Sequence, residues 1–214
     1  MTDSIQVHDY GAAEYDKSAS DYEWHGHEII FGMCYDYLQP HATLLDIGIG
    51  TGLSSEFYAQ VGLEITGLDG SPEMLKQCRK KKFVQKLIQH DLTKFPWPVE
   101  SGSFDVVLSV GVFHFIHDIQ SVFKEVSRVT KSGGLFAFQF LDPNELHAKQ
   151  HQEPVKQIRD GFEVIAHPLT YILAALDNHG FTKLKQVGFL AKHSPQTDEE
   201  FLCRAIIAQK SRAE

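Results

Sequence analysis

Residues 43 to 52 read TLLDIGIGTG, and no other stretch of the chain restricts the fold as tightly. Thr43 to Ile47 is apolar apart from Asp46, short enough and rich enough in Leu and Ile to form a buried strand. Glycine then stands at every second position, Gly48, Gly50 and Gly52, where a sharp turn needs backbone conformations that a side chain opposes. Helical spacing follows at once, with Leu53, Phe57 and Val61 on one face. The chain therefore passes from strand through turn to helix within about twenty residues.

The rest of the chain repeats that alternation. Glu64 to Leu68 predicts a second strand ending in Asp69. Ser71-Pro72-Glu73-Met74 opens a helix, with Ser as N-cap, Pro at the first helical position and an acid in the first turn. Val84 to Gln89 and Phe104 to Val110 predict the third and fourth strands. Ile116 to Val129 predicts an amphipathic helix, stopped by a turn at Lys131-Ser132-Gly133-Gly134, and Leu135 to Leu141 a fifth strand. Asp142 to Asp160 is polar and has no clean period. A helix over Leu169 to His179 and a Gly180 stop lead to two strands near Leu184 to Leu190 and Phe201 to Gln209, expected to pair antiparallel. The pattern means an α/β fold.

Composition narrows the class. A chain of 214 residues fits one domain with an appendage. Its three cysteines, Cys34, Cys78 and Cys203, form no CxxC pair, which argues against a disulfide framework or zinc site and fits a reducing, cytoplasmic compartment. No apolar run approaches the roughly 20 residues of a bilayer span, and no signal-peptide core follows Met1, so neither a membrane nor a secreted protein is expected. The net charge of −8 works against broad binding of a nucleic-acid backbone. The one basic cluster, Arg79 to Lys82, reads as a solvated helix end.

The glycine turn carries the chemistry. It lets backbone approach a ligand closely, and the helix behind it offers free N–H groups. Asp69 ends the next strand, 23 residues after Asp46, where a carboxylate can accept from both hydroxyls of a ribose. A nicotinamide dinucleotide is disfavoured on two counts. Its fingerprint wants glycine at the sixth position of the loop, where Leu53 stands, and Asp46 would repel a pyrophosphate. A cofactor with an amino group and a sulfonium would be attracted instead, which favours S-adenosylmethionine.

Taken together, LLDIGIGTG, LEITGLDGSPEML, QHDL, FDVVLSVGVFHFIHD and RVTKSGGLFAF resemble, in order and from about Tyr15 to Leu141, the class I S-adenosylmethionine-dependent methyltransferases, particularly the small-substrate domain 11/25 type. The resemblance implies a Rossmann-like seven-stranded sheet of order 3-2-1-4-5-7-6, the seventh strand antiparallel, with helices on both faces. It also implies cofactor contacts. Asp46, Gly48 and Gly50 would cradle the methionine end. Asp69 would hold the ribose diol, and Gly70, Ser71 and Met74 would flank the adenosine. Asp91 and the Leu92 backbone would meet the adenine amino group, and Ser109 and Val110 the sulfonium side. Tyr15 matches an aromatic that covers the cofactor, with Tyr22 as the alternative. S-adenosylhomocysteine would be the product.

In-line transfer from a sulfonium needs mainly positioning, and a base only where the acceptor holds its proton tightly. His114, just after the fourth strand, is the candidate base. Its alternatives are a pocket-shaping role or a packed structural one. His117, Asp142, His147 and His151 stand near the same edge; Asp142-Pro143 also reads as a turn start. His25 and His27 are two apart and share no helix face, so no metal site is expected. Residues 1–42 are read as an N-terminal helical lid, its aromatics Tyr10, Tyr15, Tyr22 and Trp24 seeking an apolar surface. Residues 43–214 form the cofactor-binding domain, with 142–168 a substrate-side insert. The expected activity is methyl transfer to a small-molecule acceptor. The alternatives are a cofactor-binding assembly or regulatory factor and, behind it, a nicotinamide-dependent oxidoreductase.

Overall fold

In a computed structural model the chain is described except at residues 1, 22, 145–149, 160–161, 195–196 and 213–214. Five parallel strands form its centre: β1 (Thr43–Ile47), β2 (Glu64–Asp69), β3 (Val84–Gln89), β4 (Phe104–Ser109) and β5 (Thr130–Leu141). A short hairpin, β6 (Val155–Arg159) with β7 (Phe162–Ala166), stands apart from them. The long pair β8 (Phe181–Ser194) and β9 (Thr197–Lys210) completes the main sheet in the order β3-β2-β1-β4-β5-β9-β8, with β9 antiparallel to β5. Counting only strands of this sheet, the order is the expected 3-2-1-4-5-7-6.

Both faces are covered, and β5 shows how. Phe136, Phe138 and Phe140 point to one side, into a cluster with Val122, Phe123 and Val126 of α6 (Ile119–Val129) and Ile172 and Leu176 of α7 (Leu169–Asn178). Leu135 and Ala137 point to the other side. There Ile30 and Cys34 of α3 (Gly26–Cys34), Tyr58 of α4 (Ser55–Gln60) and Leu75 and Cys78 of α5 (Pro72–Lys80) complete a second cluster. This alternation is the two-residue period of a strand buried on both faces. The stacked Phe136–Phe138 pair, centroids 4.4 Å apart, is fully buried, and truncating either ring to Ala is expected to cost about 3–5 kcal/mol.

Some local expectations need correcting. The helix expected from Ile116 begins three residues later. A 3₁₀ turn, Phe113–Phe115, and a short connection precede it, and Asp118 caps it by accepting from the Ser121 N–H at 3.1 Å. The turn expected at Lys131 to Gly134 is an irregularity inside β5, with Gly133 at φ +76, because Phe104 and Val106 of β4 pair on either side of it. Strand β6 falls inside Asp142 to Asp160, where Lys156 and Gln157 interrupt the apolar pattern, and β7 follows just beyond it; each is too short to declare itself. Ahead of the sheet, α1 (Thr2–Gly11) and α2 (Tyr15–Asp21) lie over its carboxyl edge. Among the described residues no helix is long and apolar enough to cross a membrane.

Candidate active site

One crevice opens at the carboxyl ends of β1, β2 and β4, the place where open α/β sheets bind ligands. Its floor is the glycine turn. Gly48 and Gly50 line it, both with positive φ, +80 and +54. A side chain on Gly48 would lie 2.3 Å from Val112 Cγ2, whereas one on Gly50 would meet nothing within 4 Å. Gly48 is thus required by packing, and Gly50 keeps open a cradle that a ligand can fill.

Asp69 is the organising acid. One carboxylate oxygen accepts from the Gly50 N–H at 2.7 Å and the other from the Ser71 N–H at 2.8 Å. Both oxygens are thereby oriented, and each keeps a further lone pair for a hydroxyl. Burial raises its pKa, and those two N–H groups pull it back. Ser71 caps α5 by accepting from the Met74 N–H at 3.1 Å, with Pro72 at the first helical position as expected. Gly70, Ser71, Met74, Asp91, Leu92 and Thr93 form the wall beyond Asp69. Against the opposing effect of burial, Asp91 is held below the usual carboxylate range by the hydroxyl and N–H of Thr93, at 2.7 and 2.9 Å.

Asp46 lies beneath the floor rather than on it. It is 2% exposed and accepts from the Ser55 hydroxyl at 2.6 Å. Burial pushes its pKa up to about 7, the Ser55 bond opposes this, and the Asp69 charge adds to it. Ser109 is fully buried and donates to the Ile47 carbonyl at 3.2 Å, stitching β4 to β1, while Val110 beside it lines the crevice. Tyr15 lines the crevice from α2. Burial raises its hydroxyl pKa to about 12, and the nearby carboxylates of Asp69, Asp16 and Asp46 add to the rise; these acids make the crevice electronegative. Such a field attracts a cationic ligand and repels a diphosphate.

The roof brings in residues that the pattern did not flag. Ile5 and His8 of α1 line the crevice, and Ile5 packs against the bare backbone of Gly70. Asp9 accepts from the Ser71 hydroxyl and from the Glu73 N–H, the latter at 3.3 Å, so its charge sits at the N-terminus of α5. Asp16 accepts from the Thr51 hydroxyl at 2.5 Å and pairs with Lys81 at 2.6 Å, fastening α2 to the glycine turn. Of the aromatics expected in a lid, Tyr15 alone lines the crevice. Tyr10 is 98% exposed, Trp24 packs toward Phe189, and Tyr22 lies outside the described residues. Aspartates at positions 9 and 16 look like ordinary helix-surface acids, which is why pattern alone passes over them.

The remaining wall is apolar. Gly111, Val112, Phe115 and Ile116 line it, and Phe115 also packs against the buried cluster that Leu141, Val164, Ala166, Ala191 and Cys203 form. The ring of His114 is 4.0 Å from that of Phe115, and His114 does not itself line the crevice. Asp142 accepts from the Asn144 N–H at 2.9 Å and pairs with Arg204, its own side chain 1% exposed, and the chain bends at Pro143. His151 donates its N–H to the Asn144 side chain at 2.5 Å, and His147 lies outside the described residues. Among the described residues, no group of three or more His, Cys, Asp or Glu could hold a metal ion.

Residues 45–138 match the family model of the methyltransferase domain. A malonyl-[acyl-carrier protein] O-methyltransferase of Hamiltonella defensa is 36% identical over 98 residues, 46% of this chain and 37% of that protein. A demethylmenaquinone methyltransferase of Tropheryma whipplei is 35% identical over 106 residues, 49% of this chain and 44% of that protein. The chain thus spans about two fifths of the length of these curated relatives. A crystal structure of a SAM-dependent methyltransferase from Methanosarcina mazei shares the fold, with TM-score 0.65 and 20% identity over 85% of this chain and 98% of the other.

Proposed function

We propose that the chain is a class I S-adenosylmethionine-dependent methyltransferase, a reading that the match of residues 45–138 to the methyltransferase-domain model supports, and that it transfers a methyl group to a small-molecule acceptor by in-line displacement. The observation that carries the reading is Asp69. Its two oxygens are oriented by Gly50 and Ser71 at the rim of an electronegative crevice, suited to a ribose diol on a cationic cofactor. The residues present fit that group. The cradle at Gly50 is open, and the charges around Tyr15 match an amino group and a sulfonium. S-adenosylmethionine, when bound, supplies a methyl group that needs no further activation.

The chain's own work is to hold, orient and dry the reactants. Gly48, Gly50, Val110 and the buried charge of Asp46 would hold the methionine end, with Ser109 keeping β1 and β4 in register below. Gly70, Ser71, Met74, Asp91 and Leu92 would hold the adenosine. Tyr15, with Ile5 and His8, would exclude water, which is the lid role we assign to residues 1–42. Phe115 and Ile116 would orient the acceptor, and residues 142–168 would border it. The proton of the acceptor, where it has one to lose, would leave to water and, since His114 stands behind the crevice wall, would reach His114 only by way of water. The two relatives are named for different acceptors, malonyl-[acyl-carrier protein] and demethylmenaquinone, so the acceptor is put no more finely than a small organic group.

Transfer of a labelled methyl group to components of a metabolite extract, with product analysis, tests the reading. Labelled product is expected. Tight cofactor binding without any product would instead support an assembly or regulatory factor, and preferential binding of NADH would overturn the class.

A further inference from the structure

We propose that His167 is a positioning residue for methyl transfer, acting as the staple that holds the 3₁₀ turn Phe113–Phe115 in place on the acceptor side of the crevice. The inference rests on the methyl-transfer reading and adds a residue that lines no part of the crevice.

His167 follows β7 directly and is fully buried. Its Nε2 lies 3.0 Å from the carbonyl oxygen of Phe113 and 3.0 Å from that of Ile116. Carbonyl oxygens only accept, so Nε2 carries the hydrogen and shares it between the two. Its own backbone N–H donates to the Leu141 carbonyl at 2.8 Å. One residue therefore ties together the last residue of β5, the end of β7, the first residue of the turn and the residue that caps it.

The turn needs such a tie. Three residues of 3₁₀ helix hold themselves weakly, here through Phe115 N–H to Val112 O at 2.9 Å and Ile116 N–H to Phe113 O at 3.1 Å. Yet the turn carries Phe115, and Ile116 beside it, onto the crevice wall, where a small displacement misplaces an acceptor. Packing alone does not account for a histidine here. Its Nδ1 is buried with no hydrogen-bond partner among the described residues. Leu or Phe would fill the space without leaving a polar atom unsatisfied, so the Nε2–H is what the position uses. Burial keeps the ring neutral by lowering its pKa, as the single donated hydrogen requires.

The test compares His167→Leu, which removes the donor, with His167→Gln, whose amide reaches the same two carbonyls. Hydrogen exchange and calorimetry with S-adenosylhomocysteine are read on both variants and on the wild type. In His167→Leu, protection of residues 110–118 is expected to fall by about tenfold or more while residues 43–69 keep theirs. Product affinity should stay within about threefold of the wild type. His167→Gln should recover most of the lost protection. Unchanged protection in the Leu variant, loss spread over the whole chain without rescue by Gln, or loss of product binding in a folded variant would each overturn the proposal. Should the Leu variant not fold, nitrogen-15 spectra of the wild type decide. A neutral His167 with a slowly exchanging Nε2–H supports the staple, and a charged ring or an Nδ1–H form refutes it. A wild type that fails to bind the product sinks the methyl-transfer reading and leaves the exchange measurement standing.

Discussion

The Ser55 hydroxyl donates to Asp46 at 2.6 Å in a site where both side chains are buried, directly beneath the turn that begins at Gly48. A carboxyl there titrates near neutrality, at about 7, because burial disfavours its charge. The sign for stability follows. The folded pKa lies above the ordinary carboxyl value of 3.8, so the stability this group contributes is present at acid pH and declines as pH rises from that value through about 7. A bound cation reverses the preference by stabilising the carboxylate. Cofactor binding should therefore release a proton, and affinity should weaken by roughly tenfold between pH 7.5 and pH 6. Calorimetry in two buffers of different ionisation enthalpy measures the released proton, and Asp46→Asn should abolish it. A wild-type affinity flat over this range would count against the assignment.

Asp69→Ala removes the acceptor that the ribose assignment depends on, together with the brace on the Gly50 and Ser71 N–H groups. Each charged hydrogen bond is worth about 1.5–3 kcal/mol, so affinity for S-adenosylmethionine should drop at least roughly tenfold. Calorimetry on a variant with native circular dichroism checks this. Undiminished affinity would remove the ribose role from Asp69.

The two glycines of the turn should separate folding from binding. Gly48→Ala places a methyl group against Val112 at 2.3 Å in a left-handed backbone, so thermal unfolding should show a large loss of stability. Gly50→Ala meets open space and bears only the left-handed backbone penalty, about 1–2 kcal/mol. Its methyl group enters the crevice, so this variant should lose cofactor affinity more than it loses melting temperature. Equal losses in both assays for the two variants would show that Gly50 is not a cradle.

Lys17 pairs with Asp21 at 2.5 Å on the exposed side of α2, while Asp16 next to it holds the glycine turn through Thr51. A lid held by so few polar contacts should open often enough to be cut by trypsin near Lys17 in the free protein, and should be protected when S-adenosylhomocysteine is added. Asp9→Ala, which frees α1 from Ser71 and Glu73, should speed cleavage and raise the rate of product release. Identical cleavage with and without product would make α1 and α2 fixed structure.

Where the chemistry depends on neighbours in sequence, it is legible without coordinates. Gly48 and Gly50 sit directly after a strand, Asp69 ends the next, and the Ser71-Pro72 cap starts a helix because each choice is local and has a backbone reason. The strand order followed from the family that these motifs resemble, and β5, with Phe rings on one face and Leu and Ala on the other, accounts for helices on both sides. What the sequence withheld are contacts between residues far apart along the chain. Asp9 meets Ser71, Asp16 meets Thr51 and Lys81, and His167 reaches Phe113 and Ile116 only because the sheet brings their elements to one edge. The depth of Asp46 is likewise a tertiary property. Placed at the end of a strand, an acid can face solvent or lie under a turn. The packing of α4 over β1 buries it against Ser55 and so moves its proton to about pH 7.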